Sequence, residues 1–168
     1  MMKTCRSKAA NEAKKFIPDG ATILTHGHSR AVVEVVRVRL LTFYMPFVSR
    51  SIQQASSEGK LKRLYVTKMT NGSDAMTNLI EEMRFEMNEN LNSKIMFRKN
   101  GVECYEILTR SAAYVMERVD IVLLGAEAVV ESGAVVSAMG SYGIAIAAHV
   151  HKIPFYIICE SFKGCFHR

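Results

Sequence analysis

Short apolar runs alternate along this chain with stretches of helical periodicity, and that alternation restricts the fold more than any other feature. Residues 21–25 (ATILT), 63–67 (RLYVT), 102–108 (VECYEIL), 120–124 (DIVLL) and 155–159 (FYIIC) have the length and composition of strands. The turn Pro18-Asp19-Gly20 opens the first of them. Ser29 is placed to cap a helix whose apolar positions include Val32, Val33, Val36 and Leu40. Ser73 or Asp74 caps the next helix. Met76, Leu79, Ile80, Met83 and Met87 fall on one of its faces, with Glu81, Glu82 and Glu86 outside. Asn100-Gly101 reads as the end of that helix. A short helix is expected over 111–117 and a longer one over 138–151. Strand alternating with helix implies right-handed crossovers and a mostly parallel sheet, so the expected class is α/β. The run 120–124 is apolar enough for burial on both faces.

At 168 residues, 49% apolar and 23% charged, the chain suits one domain with a core of its own. Residues 1–16 contain no apolar core and do not read as a secretory signal. The apolar stretch from Gly133 to Cys159 is broken by His149, His151, Lys152 and Pro154, so it reads as helix plus strand and no membrane contact is expected. Cys5, Cys104, Cys159 and Cys165 show no C-x-x-C spacing, which fits a reduced, cytosolic setting better than a zinc site. The net charge of +6 is uneven: residues 1–68 carry +9 and residues 69–168 carry −3. No aromatic residue interleaves with the basic ones in residues 1–15, and there is no Trp, so direct nucleic-acid binding by base stacking is not expected. Residues 38–56 are apolar and aperiodic, contain Pro46, and read as an insertion in a βα crossover.

In parallel sheets the ligand crevice lies beyond the carboxyl ends of the strands. There this chain places Thr25, His26, Gly27, His28, Ser29 and Arg30 after the first strand, Lys68 to Asn71 after the second, and Thr109-Arg110 after the third. Gly125-Ala126-Glu127 follows the fourth and Glu160 to Lys163 the fifth. Ser29-Arg30 at a helix start suits an anion, because free backbone N–H groups point outward there. His26 and His28 could share a metal, but no third or fourth ligand closes the set. Cys104 and Cys159 lie in strands and read as core.

Several ordered segments resemble the initiation factor 2B family of alpha, beta and delta subunits, and its alpha-type members in particular. They are Phe16 to His26 with Ser29-Arg30, Tyr114 to Asp120, Gly125-Ala126-Glu127 with Val129 to Gly133, and Pro154-Phe155-Tyr156 with Glu160 to Lys163. The resemblance covers residues 16–37 and 102–163 well and 57–67 moderately. It implies a Rossmann-like domain related to sugar-phosphate isomerases. Residues 1–18 would be the end of a linker or helical segment, and residues 19–168 the domain. Family members extend beyond both ends of the match, so the sheet is expected to be incomplete at both ends.

The implied role is regulatory: a subunit of the guanine-nucleotide exchange factor for translation initiation factor 2. Such a subunit bridges the other subunits, forms a homodimer when full length, and senses the phosphorylated initiation factor. No cofactor, metal or catalytic residue is expected. The rim residues expected to meet a small ligand, at most a weakly held phosphate or sugar phosphate, are Thr25, His26, Ser29, Arg30, Glu127, Gly140 and Lys163. The alternatives are a sugar-phosphate isomerase and a metal-dependent hydrolase built on His26 and His28. Proton transfer between sugar carbons needs an acid/base pair, for which the related isomerases use a cysteine and an aspartate. Here the matching positions hold Gly27 and Glu127. Two further positions depart from the family pattern: Lys68 to Asn71 after the second strand, and Ser137-Ala138 before Gly140.

Overall fold

The computed structural model describes residues 2–27, 29–41, 61–68, 97–99 and 102–165. Helix α1 (Met2–Lys14) leads through a turn at Gly20, whose φ of 72° suits glycine, into β1 (Thr22–His26). Helix α2 (Arg30–Leu41), β2 (Arg63–Lys68), β3 (Phe97–Lys99) and β4 (Val102–Leu108) follow. A helical segment then runs over residues 109–118, with α3 (Ala112–Val115) between two single 3₁₀ turns. After it come β5 (Ile121–Gly125), β6 (Ala128–Val130), β7 (Val135–Val136), α4 (Ser141–Val150), β8 (Phe155–Ile158) and β9 (Gly164–Cys165).

The main sheet has the order β3-β4-β2-β1-β5-β8, parallel throughout except for β3. Each crossover from one parallel strand to the next must pass over a face of the sheet, and the two faces are covered in turn. Ile23, Leu64, Val66, Ile121 and Leu123 meet Ala10, Ala13, Val32, Val35 and Val36 from α1 and α2. Leu24, Tyr65, Val122 and Leu124 meet Ala112, Val115, Ile144 and Ala148 from α3 and α4. Strand β5 therefore alternates its residues between two cores, as its unbroken apolar sequence requires. Asp120 ties its start to β1, accepting the Thr22 N–H at 2.7 Å. Helix α1 contributes Ala10 and Ala13 to the first core and so packs on the sheet itself.

The structure departs from the sequence reading in several places. Asn100-Gly101, read as a helix end, has a strand on either side, with Phe97 opposite Cys104 and Lys99 opposite Val102. Asn-Gly is also a strong hairpin signal. Helix α2 continues to Leu41, so the start of the presumed insertion at residue 38 falls inside a helix. Residues 42–56 and the helix expected after Ser73 lie outside the described residues. A second small sheet, β7-β6-β9, was not anticipated. Its strands have three residues or fewer, too short for alternation to register. No described helix is long and apolar enough to cross a membrane.

Leu123 is 1% exposed in the first core. Leu123→Ala should cost about 2–5 kcal/mol in urea denaturation. Phe16→Ala, at a side chain 56% exposed, should cost distinctly less.

Candidate functional site

The parallel strands run β4-β2-β1-β5-β8, so the chain leaves β1 toward one edge of the sheet and returns to β5 beside it. The β1/β5 boundary is the topological switch point, where a crevice opens in folds of this kind. The carboxyl end of β1 supplies Thr25, His26 and Gly27. Thr25 and His26 are 0% and 3% exposed and, as neighbours on a strand, point to opposite faces. The Thr25 hydroxyl has no hydrogen-bond partner among the described residues. The His26 ring spans two elements, with Nδ1 2.6 Å from Thr67 Oγ1 and Nε2 2.7 Å from the Met139 carbonyl. A carbonyl only accepts, so Nε2 donates to Met139. Thr67 Oγ1 also donates to the Thr25 carbonyl at 3.4 Å.

Ser29 caps α2 as the sequence suggested: its Oγ accepts the Val32 N–H at 3.3 Å. It is buried, and it sits directly over Gly125. A Cβ at that glycine would collide with Ser29 Oγ and Cβ. The backbone of β5 thus approaches the start of α2 as closely as a glycine allows. Ser137 closes the other side, donating to the Gly125 carbonyl at 2.8 Å and lying 3.0 Å from Ser141 Oγ. Gly140, at φ 99°, turns the chain into α4 against Thr109 and the His26 ring.

Lys163 reaches this rim by donating to the Ala126 carbonyl at 2.7 Å, but its charge is already matched. Glu160, 2% exposed, stands 3.2 Å from Lys163 and accepts from Arg6 Nε of α1 at 3.2 Å. Burial pushes the Glu160 carboxyl up, but hydrogen bonds from Lys163 and Arg6 outweigh it and hold the group below the usual carboxylate range. Burial pushes the Cys104 thiol up to about 11 and raises that of Cys159 as well, so neither is a ready nucleophile.

Thr25, His26, Ser29, Gly140 and Lys163 therefore gather around the ends of β1 and β5. Arg30 and Glu127 are exposed. Glu127 donates its N–H to the Val136 carbonyl at 2.8 Å, beside the second sheet, and its side chain is exposed rather than buried at the switch point. His28, the Lys68 side chain and residues 69–71 lie outside the described residues. With both His26 nitrogens engaged, that ring is not disposed to bind a metal. No cluster of three His, Cys, Asp or Glu occurs among the described residues. Sequence reasoning named Gly125 and Ser137 near the rim but not their contacts, and it missed the Arg6–Glu160 pair. A glycine ending an apolar strand is a signal of close backbone approach, and it marks Gly125 in retrospect.

The family model for the initiation factor 2 subunit family matches residues 1–167. This chain belongs to that family. Among curated relatives it is 32% identical over 158 residues to translation initiation factor eIF2B subunit alpha of Dictyostelium discoideum, covering 94% of this chain and 40% of the relative. The subunit of the same name in Caenorhabditis elegans is 28% identical, with 94% and 42% covered. The chain thus spans about two fifths of the length of these relatives. Among solved structures it superposes on a Pyrococcus horikoshii translation initiation factor eIF-2B with a TM-score of 0.68 at 22% identity, covering 95% of this chain and 46% of the other. A 5-methylthioribose 1-phosphate isomerase from the same organism gives 0.59 at 22% identity, covering 90% and 38%. These superpositions confirm the α/β fold, and with the initiation factor 2 subunit family they account for the isomerase-like architecture.

Two outcomes follow from the rim. Gly125→Ala should cost about 1–3 kcal/mol by forcing β5 away from Ser29, measured by urea denaturation. Because the Glu160 carboxyl is held low, its contribution to stability is present above the unfolded carboxylate pKa of about 4.3 and is lost as pH falls through the lowered value. Glu160→Gln should therefore flatten the acid limb of the stability profile, and identical profiles for the two proteins would refute the pairing.

Proposed function

We propose that this chain acts as a non-catalytic regulatory subunit in the guanine-nucleotide exchange factor for translation initiation factor 2. In this reading it works in the cytosol. It bridges other subunits of the assembly, pairs with a second copy of itself, and helps sense the phosphorylated initiation factor. The observation that carries the reading is the match to alpha subunits over nearly the whole chain, taken with a rim whose polar groups face one another. A related solved structure is a tetrameric eIF2B-beta2-delta2 complex from C. thermophilum, superposing with a TM-score of 0.66 at 18% identity and covering 95% of this chain and 42% of that one.

The isomerase alternative is disfavoured by the same residues that raised it. Gly27 has no side chain with which to move a proton, and Glu127 is exposed. An acid/base pair must stand within hydrogen-bond reach of the reacting carbons. What remains for a small ligand is the first turn of α2, where Ser29 and Arg30 offer spare N–H groups and an exposed guanidinium to a phosphate. That attraction is worth about 0.3–1 kcal/mol, so binding there should be weak and without turnover.

The test is reconstitution. The chain should co-purify with beta- and delta-type subunits and alter nucleotide exchange on phosphorylated initiation factor 2, with no conversion of pentose or methylthiopentose phosphates. Turnover of a sugar phosphate, abolished by Glu127→Ala, would overturn the assignment.

A further inference from the structure

Helix α1 grips the first core through small side chains. It contributes Ala10 and Ala13, one methyl group each, whereas α2 contributes Val32, Val35 and Val36. Between α1 and β8 runs a groove of about 260 Å³, lined by Ala9 and Ala13 on one side and by Tyr156 and Ile158 on the other. The two elements meet at its ends. At one end the Phe16 and Tyr156 rings lie 5.3 Å apart between centroids, with Phe16 still largely in solvent. At the other, Arg6 Nε donates to the Glu160 carboxylate at 3.2 Å. The helix is also weak in itself. At 13 residues it would be marginal alone in water, and its first turn holds Lys3 and no acidic residue to complement the positive end of the dipole.

Charge supplies what apolar contact does not. Glu160 is buried and faced by two cations, Arg6 of α1 and Lys163 of the turn after β8, with the Cys159 thiol beside it. Lys163 is tied in turn to the Ala126 carbonyl. The carboxylate and its second cation therefore belong to the sheet, and only Arg6 belongs to α1. A buried charge that loses a partner is costly, so the closed position of α1 depends on that pair.

We propose that α1 is a strap that opens and recloses while the rest of the domain stays folded, with the Arg6–Glu160 pair as its clasp. Proteins open in cooperative units of unequal stability, and elements with few buried apolar contacts open first. Opening uncovers the sides of Leu123 and Ile158 that face the groove and gives water access to Glu160. The strap is also graded by pH. Burial raises the Glu160 carboxyl, but hydrogen bonds from Lys163 and Arg6 outweigh it and hold the group low while α1 is closed. The clasp is thus fully present above the unfolded carboxylate pKa of about 4.3. It is lost as pH falls through the lowered value.

Native-state hydrogen exchange of the whole chain, corrected for intrinsic rates, tests this. At neutral pH the amides of Ala10 to Lys14 should exchange about a hundredfold or more faster than those of Leu24 and Val122, and with little dependence on urea. Two variants separate the openings. Arg6→Met should speed exchange in α1 about tenfold. Ile144→Val, in the second core away from α1, should speed Leu24 and Val122 about fivefold and leave α1 unchanged. Acid should open α1 further in the wild type but not in Arg6→Met. Wild-type α1 amides as protected as Leu24 and Val122 overturn the proposal. So does an α1 that speeds up in step with the core in Ile144→Val, or one indifferent to Arg6→Met.

Discussion

The end of strand β5 can lie against the start of α2 only because the chain carries no side chain at Gly125. Ser29 occupies the space a Cβ would need, and it does so as the cap of α2. That contact brings the carboxyl ends of two central strands and a helix start into direct touch. Everything else at the rim is built around it. Ser137 holds the Gly125 carbonyl, His26 holds the Met139 carbonyl and Thr67, and Lys163 holds the Ala126 carbonyl. Glu160 then links Lys163 to Arg6, so that the first helix is fastened to the same point.

The architecture is shared with a solved isomerase structure, but the described rim is arranged around its own contacts. The crevice of a parallel sheet is useful for chemistry when its polar groups are left facing a ligand. Here most of the described groups face each other; Arg30 and Glu127 are turned to solvent, and the buried Thr25 hydroxyl has no partner among the described residues. Among the described residues, large apolar side chains are exposed on α4 and the segment before β5, and also at Phe16, Val136, Met139 and Phe162. Both features suit a protein that acts through contacts with other proteins.

Much of this was legible in the residues. The five parallel strands appear within a residue of their expected places, because β-branched and apolar runs bounded by turn residues are a strong local signal. Ser29 as a cap was readable for the same reason. What was not readable depended on contacts distant in sequence. The Arg6–Glu160 pair joins residues 154 positions apart. Glu127 is exposed beside a strand of three residues whose pairing no periodicity announces. Strand β3 was hidden because Asn-Gly both ends helices and turns hairpins.

The central claim is that the rim is closed by its own hydrogen bonds before any ligand arrives. Hydrogen exchange on the free chain, repeated with a sugar phosphate present, tests it most directly. The account predicts that the amides of Val32, Val33, Glu127 and Ile144 are already protected in the free protein. Rim amides that exchange freely alone and gain protection only with the sugar phosphate would contradict it, and would show a site that waits for a small molecule.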